Sequence, residues 1–170
     1  MLCIIRNATM DDAKNVLENT KNIREETDFL LSYPDEINFS VEEKEEFLED
    51  KENSPCEIQI CALVDDRIIG LAGISAVGSK DKVKHRAELG ISIEKAYYGK
   101  GIGTALTKAC IECAKTAGYR QLELEVVAEN KNAIALYKKF GFKEIGRNPR
   151  GFCSRYTGWQ ELISMVLELD

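Results

Sequence analysis

The sequence predicts a single mixed α/β domain, and three observations carry that expectation. Stretches with a two-residue hydrophobic period alternate with stretches of helical period, in the order β-α-α-β-β-β-α-β-α-β-β. The chain of 170 residues is 44% hydrophobic and 31% charged, enough apolar material for one proper core. No repeat, linker or low-complexity tract divides it, so residues 1–170 are expected to form one domain.

The elements follow in order. Leu2 to Arg6 is short, apolar and branched, as a first strand should be. Thr9, with an acid three residues on at Asp12, marks a helix start, and Ala13, Val16, Leu17 and Ile23 recur at helical spacing. Residues 24–40 carry less pattern: Phe29-Leu30-Leu31 is apolar and Tyr33-Pro34-Asp35 reads as a turn, and substrate choice is expected to lie here and in residues 148–159. Ser40 and Glu43 form a capping box that opens a helix over about residues 41–51. That helix carries Glu42, Glu43, Glu45, Glu46, Glu49 and Asp50, either as a solvated face or as a flap that attracts an amine.

Ile58, Ile60, Ala62 and Val64 alternate as a strand, Asp65-Asp66-Arg67 turns, and residues 68–74 return. After a polar loop, Ala87, Leu89, Ile91 and Ile93 share one face of a third strand, with Glu88, Gly90 and Ser92 on the other. Ile102, Ala105, Leu106, Ala109, Cys110, Cys113 and Ala117 then form a helical stripe closed by Gly118. Leu122 to Val127 alternates again, and Asn130-Lys131-Asn132 opens a short helix ended by Gly141. Phe142 to Gly146 and Glu161 to Leu169 read as the last strands. The connection between them is basic and aromatic, with Phe152, Tyr156 and Trp159 as candidates to wall a substrate pocket.

Composition narrows the function. A net charge of −6 argues against nucleic-acid partners, which favour basic faces. No apolar run reaches the ~20 residues of a membrane span. Met1 to Arg6 lacks a basic leader, so a cytoplasmic protein is expected. The six cysteines are scattered. The Cys110/Cys113 pair lies in mid-helix without a second pair or a nearby histidine, so core packing rather than a metal site is expected.

The informative stretch is Tyr98-Gly99-Lys100-Gly101-Ile102-Gly103-Thr104, which runs straight into a helix. Alternate glycines bare the backbone amides, and a helix start adds free N–H donors with the positive end of a dipole, together a cradle for phosphate. The loop does not carry the G-x-x-x-x-G-K-[ST] spacing of a P-loop. It follows several antiparallel strands, unlike a dinucleotide-binding fingerprint.

Tyr98-x-x-Gly101-x-Gly103, followed about thirty residues later by Asn130-x-x-Ala133-Ile134-x-Leu136-Tyr137-x-x-x-Gly141-Phe142, resembles the GNAT superfamily of acetyl-CoA-dependent N-acetyltransferases. The strong part of the likeness runs over about residues 86–146, and Tyr98 stands where that family usually has Gln or Arg. The resemblance implies a central, mostly antiparallel, splayed sheet of six to seven strands with helices on both faces. It implies acetyl-CoA as co-substrate and no metal. Its pyrophosphate would lie on the amides of Gly99, Lys100, Gly101, Ile102, Gly103 and Thr104, with Tyr98 shaping the loop. The pantetheine arm would run along Ile91, Ser92 and Ile93, and Asn130 and Asn132 would contact the cofactor. Tyr137 matches the position of the family's acid for the departing thiolate, and Glu88 that of a carboxylate used as base. His85 is a weaker candidate for the same task.

The implied acceptor is a primary amine, as a small molecule or a peptide, attacking directly in a ternary complex. A polyamine, an amino-acid derivative and a protein N-terminus stay open, and the acidic composition tilts toward a small cationic amine. A non-catalytic coenzyme A binding module is the alternative function. The chain is expected to act as a monomer or a homodimer.

Overall fold

A computed structural model describes residues 1–170. The strands are β1 (Ile4–Asn7), β2 (Ile58–Val64), β3 (Arg67–Ala76), β4 (Arg86–Ile93), β5 (Gln121–Val127), β6 (Lys143–Ser154) and β7 (Gly158–Glu168). The helices are α1 (Ala13–Glu26), α2 (Val41–Asn53), α3 (Ile102–Thr116) and α4 (Lys131–Lys139). The strands form one seven-stranded sheet in the order β1-β2-β3-β4-β5-β7-β6. Every neighbouring pair is antiparallel except β4–β5. No helix is long and apolar enough to cross a membrane.

The period-two pattern explains why both faces of the sheet are covered. Ile60, Ala62, Ala72, Ile74, Ala87 and Leu89 bury one face against the α3 stripe of Ile102, Leu106, Cys110 and Ala114 and against Ile134 and Tyr137 of α4. Cys61, Leu63, Ile68 and Leu71 point the other way, onto Ala13 and Val16 of α1 and Leu48 of α2. Helix α2 begins with the expected capping box: the Glu43 N–H donates to Ser40 Oγ and the Ser40 N–H to the Glu43 carboxylate. Only Leu48 of α2 is fully buried. Its acidic residues form a solvated face away from the cleft described below, which removes the flap reading.

The chain after Gly146 differs from the sequence-based expectation. Residues 148–154 extend β6 into a long hairpin with β7, turning at 155–157. Alternation fails to show it because β6 is an edge strand exposed from Lys143 to Arg150, so neither face selects for apolar residues. Its register slips twice, between Glu144 and Gly146 and between Asn148 and Phe152.

Two carboxylates tie the chain near its working end. Asp12 takes both arms of Arg6, at 2.7 and 2.9 Å, and also the Thr9 N–H. Glu94, which is 5% exposed, takes both arms of Arg67 and the amide of Asn19. The Arg6 hydrogen bonds hold the Asp12 carboxyl below its ordinary range. Burial alone would raise Glu94, but the bonds from Arg67 and Asn19 outweigh it and hold that carboxyl low as well. Both groups therefore contribute stability that is present above pH ~5 and is lost as the pH falls below about 4. Removing the Glu94 side chain takes from Asn19 one of its two acceptors, leaving the Ile68 carbonyl at 3.3 Å, and leaves the Arg67 guanidinium without its carboxylate. Glu94→Ala is expected to lower the unfolding free energy by about 1–3 kcal/mol, read from urea midpoints, and to flatten the acid limb of stability against pH.

Candidate active site

The site begins where β4 and β5 part. Their parallel ladder holds only at Arg86–Gln121, Ala87–Leu122 and Glu88–Glu123. Beyond it, β4 continues paired to β3 as far as Ile93, and β5 continues paired to β7 as far as Val127. Each strand thus keeps one satisfied edge and turns one open edge toward the other. Backbone donors and acceptors along such edges need partners. The opening encloses a cleft of about 510 Å³.

The glycine loop closes one end. Gly99 and Gly101 have φ of +71° and +80°, values that side chains disfavour, and a Cβ built on either would meet nothing within 4 Å. Gly101 is the N-cap of α3 and offers no side-chain acceptor, so the first-turn N–H groups stay free. The first intrahelical bond there is Ala105 N–H to the Gly101 carbonyl, at 3.1 Å. The loop is therefore an open set of amides at a helix start, suited to an anion.

Helix α4 brings up the far wall. Asn130 caps it, its Oδ1 accepting from the Ala133 N–H at 3.3 Å. Its capping role and its place on the cleft wall coincide. About two turns on, Tyr137 lines the cleft with 7% of its surface exposed, its ring packed 5.7 Å from that of Phe142. Burial pushes the Tyr137 phenol above its ordinary value near 10, so it is a neutral O–H donor at physiological pH.

Of the residues singled out from sequence, Ile91, Ser92, Ile93, Tyr98, Gly99, Gly101, Ile102, Gly103, Thr104, Asn130, Asn132 and Tyr137 all border this cleft. Two do not. Lys100 turns its ammonium over the ring of Tyr97, 5.1 Å from the centroid. Glu88 sits on the last paired rung, opposite Glu123, where the strands have not yet opened. Glu123 is itself clamped by Arg86 at 2.7 and 2.9 Å, so Glu88 belongs to a charge cluster at the apex of the opening and not to its wall. His85 is likewise absent from the cleft lining. The side chains of Phe152, Tyr156 and Trp159 do not reach it either, which corrects the pocket-wall expectation.

Sequence reasoning missed Glu125. It points off the core side of β5 two residues beyond Glu123, and it is the one carboxylate on the cleft wall. Strand alternation could have singled it out, because it shares the parity of Glu123. Ile23 of α1 was also missed, whereas Thr27, Phe29 and Leu30, which border the cleft with it, fall inside the stretch 24–40 to which the sequence left substrate choice. They lie in the stretch with least pattern.

An elongated slot between two open strand edges, with an anion cradle at one end and a buried phenol on its wall, defines a group-transfer site for an extended, phosphate-bearing donor. The comparisons agree. The family model for the Acetyltransferase (GNAT) family matches residues 21–142. A GNAT-family acetyltransferase from Streptococcus pneumoniae has the same fold with a TM-score of 0.94 and 31% identity, covering 99% of this chain and 100% of that one. The yncA protein of Salmonella typhimurium, determined with its cofactor acetyl-CoA, shares the fold at TM-score 0.85 and 20% identity over 99% of this chain and 94% of its own. AaaT of Escherichia coli, an L-amino acid N-acetyltransferase, is 31% identical over 86 residues, 50% of this chain and 52% of AaaT. The chain thus spans about half the length of that curated relative, and only 23% of one from Mycobacterium leprae. The protein belongs to the GNAT acetyltransferase family.

The left-handed backbone at Gly101 gives a direct test of the loop. A side chain there costs roughly 1–2 kcal/mol, so Gly101→Val is expected to lower stability by that amount in a urea titration. Gly146→Ala, where a Cβ also meets nothing but φ is not positive, should leave stability within about 0.5 kcal/mol.

Proposed function

We propose that the protein transfers an acetyl group from acetyl-CoA to a primary amine, with both bound in the cleft at once. The observation that carries this reading is the convergence of the glycine amides, the two open strand edges and Tyr137 on one slot. Acetyl-CoA would supply an activated acyl group as its thioester. The free amides from Gly99 to Thr104 would hold its pyrophosphate, and the open edge at Ile91–Ile93 would bond its pantetheine amides as a strand would. Gly99 and Gly101 leave room for phosphates to reach the backbone, and Asn130 keeps its amide N–H₂ free for the same ligand while its oxygen caps α4.

The remaining chemistry is proton movement. An alkylamine has a pKa near 10.4 and must lose a proton before it can attack. Glu125, as the carboxylate on the cleft wall, is proposed to take that proton, in place of Glu88 at the apex. Tyr137 is proposed to give a proton to the sulfur that departs. A phenol with a raised pKa is a weak acid, yet a thiolate released in the same dry slot is destabilised by the same desolvation, which narrows the gap between the two. A covalent acetyl-cysteine route has little support: no cysteine lines the cleft, and burial pushes the Cys110 thiol up to about 12. Direct attack follows, and primary amine acceptors are in keeping with the name of the AaaT relative.

Acetyl-CoA-dependent thiol release across a panel of amines tests the activity. Turnover with intersecting initial-rate lines is the expected result. Tight coenzyme A binding without turnover of any amine would make the protein a binding module instead. Tyr137→Phe is expected to lower kcat by about 10²–10⁴-fold while acetyl-CoA affinity, measured by calorimetry, stays within about twofold. Glu125→Gln should lower kcat/KM most at neutral pH and recover as the pH approaches the amine's own pKa. Glu88→Gln should not, and equal losses for the two variants would return the base role to the apex.

A further inference from the structure

The charge on the cleft wall constrains what can be acetylated there. Among the residues that line the cleft, Glu125 alone carries a charge. Opposite the cofactor cradle the wall is apolar, made by Ile23, Phe29 and Leu30 with the hydroxyl of Thr27. These residues belong to a strap that leaves α1 and crosses from the end of β4 to the β6–β7 hairpin.

The acidic residues of the strap are bonded to the scaffold and do not line the cleft. Glu26 accepts the Lys95 N–H at 2.7 Å. The Asp28 carboxylate accepts the hydroxyl of Ser154, and its backbone carbonyl accepts the Gln160 amide at 3.0 Å; Ser154 and Gln160 are both buried. Further along, Asp35 takes the Arg155 guanidinium, and Arg155 also lies 4.1 Å from the centroid of the Tyr33 ring. The nearby cations are engaged too. Arg24 donates to Ser32 and to the Thr20 carbonyl, and Lys100 sits over Tyr97. The strap is thus latched so that Phe29 and Leu30 face the slot while its charges are spent on the scaffold.

We infer that the acceptor is a primary monoamine on an apolar body, with no second charged group close to the amine. The inference rests on the acetyl-transfer reading and narrows its acceptor. A polyamine would bring a second ammonium against Ile23, Phe29 and Leu30 with no carboxylate to meet it. A free amino acid would bring its carboxylate toward Glu125 with no cation to pair it. An unpaired charge against an apolar wall is costly, and two like charges side by side repel. A monoamine has neither problem, because its one ammonium meets Glu125 and its body meets the strap. Two sources share this chemistry: free arylalkyl or branched alkyl amines, and the N-terminus of a peptide that begins with an apolar residue. The expected acceptor still carries one cationic amine, and the polyamine and free amino acid that the sequence left open are set aside.

Four acceptors with the full-length protein decide it: 2-phenylethylamine, phenylalanine amide, free phenylalanine and spermidine. At least one of the first two is expected to exceed both of the others in kcat/KM by about tenfold or more. Preference for phenylalanine amide over 2-phenylethylamine would assign the peptide source, and the reverse order the free amine. Spermidine or free phenylalanine at or above the level of the best monoamine overturns the inference and leaves the acetyl-transfer reading intact. Turnover of none of the four with coenzyme A bound overturns that reading and this one together. As a second arm, Phe29→Asp supplies the missing carboxylate and should raise the spermidine to 2-phenylethylamine ratio by about tenfold. Leu30→Asp serves if the first variant does not fold, and an unchanged ratio in a folded variant overturns the role given to the strap.

Discussion

The structure depends on the point at which β4 and β5 stop pairing. A parallel pair running its full length would satisfy every backbone group and leave no slot. Here three rungs form and no more, and the Arg86–Glu123 ion pair spans the last paired turn of the two strands. It also explains an otherwise unfavourable juxtaposition: Glu88 and Glu123 lie opposite one another on neighbouring strands, and like charges so placed repel unless a cation joins them. Arg86 supplies that cation, and both carboxylates act on it, holding its guanidinium firmly charged. From this apex the two strands diverge because each is committed elsewhere, β4 to β3 and β5 to β7, over its whole length.

Once the strands open, the remaining parts have little freedom. Helix α3 must start at the end of β4, and the short left-handed path through Gly99 and Gly101 turns its amides to the mouth of the slot. Helix α4 must cover the core beside β5, and the apolar periodicity that buries Ile134 also sets Tyr137 against Phe142 on the cleft wall. The strap after α1 has no core of its own and is fixed through polar contacts with the hairpin. A cradle, a phenol and an apolar wall thus arise from four segments far apart in sequence, held in register by the ladder that ends at Glu88.

Much of this was legible in the sequence, for definable reasons. Alternation located strands β2 to β5, since both faces of each are sorted between core and solvent or core and helix. The glycine loop and the Asn130–Tyr137 segment declared themselves because their backbone and capping demands restrict residue choice. The hairpin was half hidden: Lys143 to Arg150 is exposed throughout, so nothing in the pattern distinguishes a long edge strand from a loop. The choice between Glu88 and Glu125 was hidden more deeply. Both sit on the parity opposite the buried residues of their strands, and nothing local says where the ladder ends. Only the register between two strands separated by a helix decides which carboxylate stands at the apex and which on the wall.

Net charge says little about the acceptor for a related reason. The chain's −6 is an aggregate, and much of its acid lies on α2, which packs beside α1 on the sheet face away from α3 and supplies no residue to the cleft wall. Charges on a solvated helix more than a Debye length of ~10 Å away are largely screened, and they say little about what enters a slot with low-dielectric walls. What governs recognition there is the local inventory, a single carboxylate facing Phe29 and Leu30. On that reading the bonds that tie Asp28 and Glu26 to the scaffold matter as much as the apolar residues themselves: a carboxylate freed toward the slot would suit a diamine. On the proposed reading, acceptor choice depends on which way this short strap faces, and the strap is held by Ser154 and Gln160, buried residues of the β6–β7 hairpin that do not line the cleft.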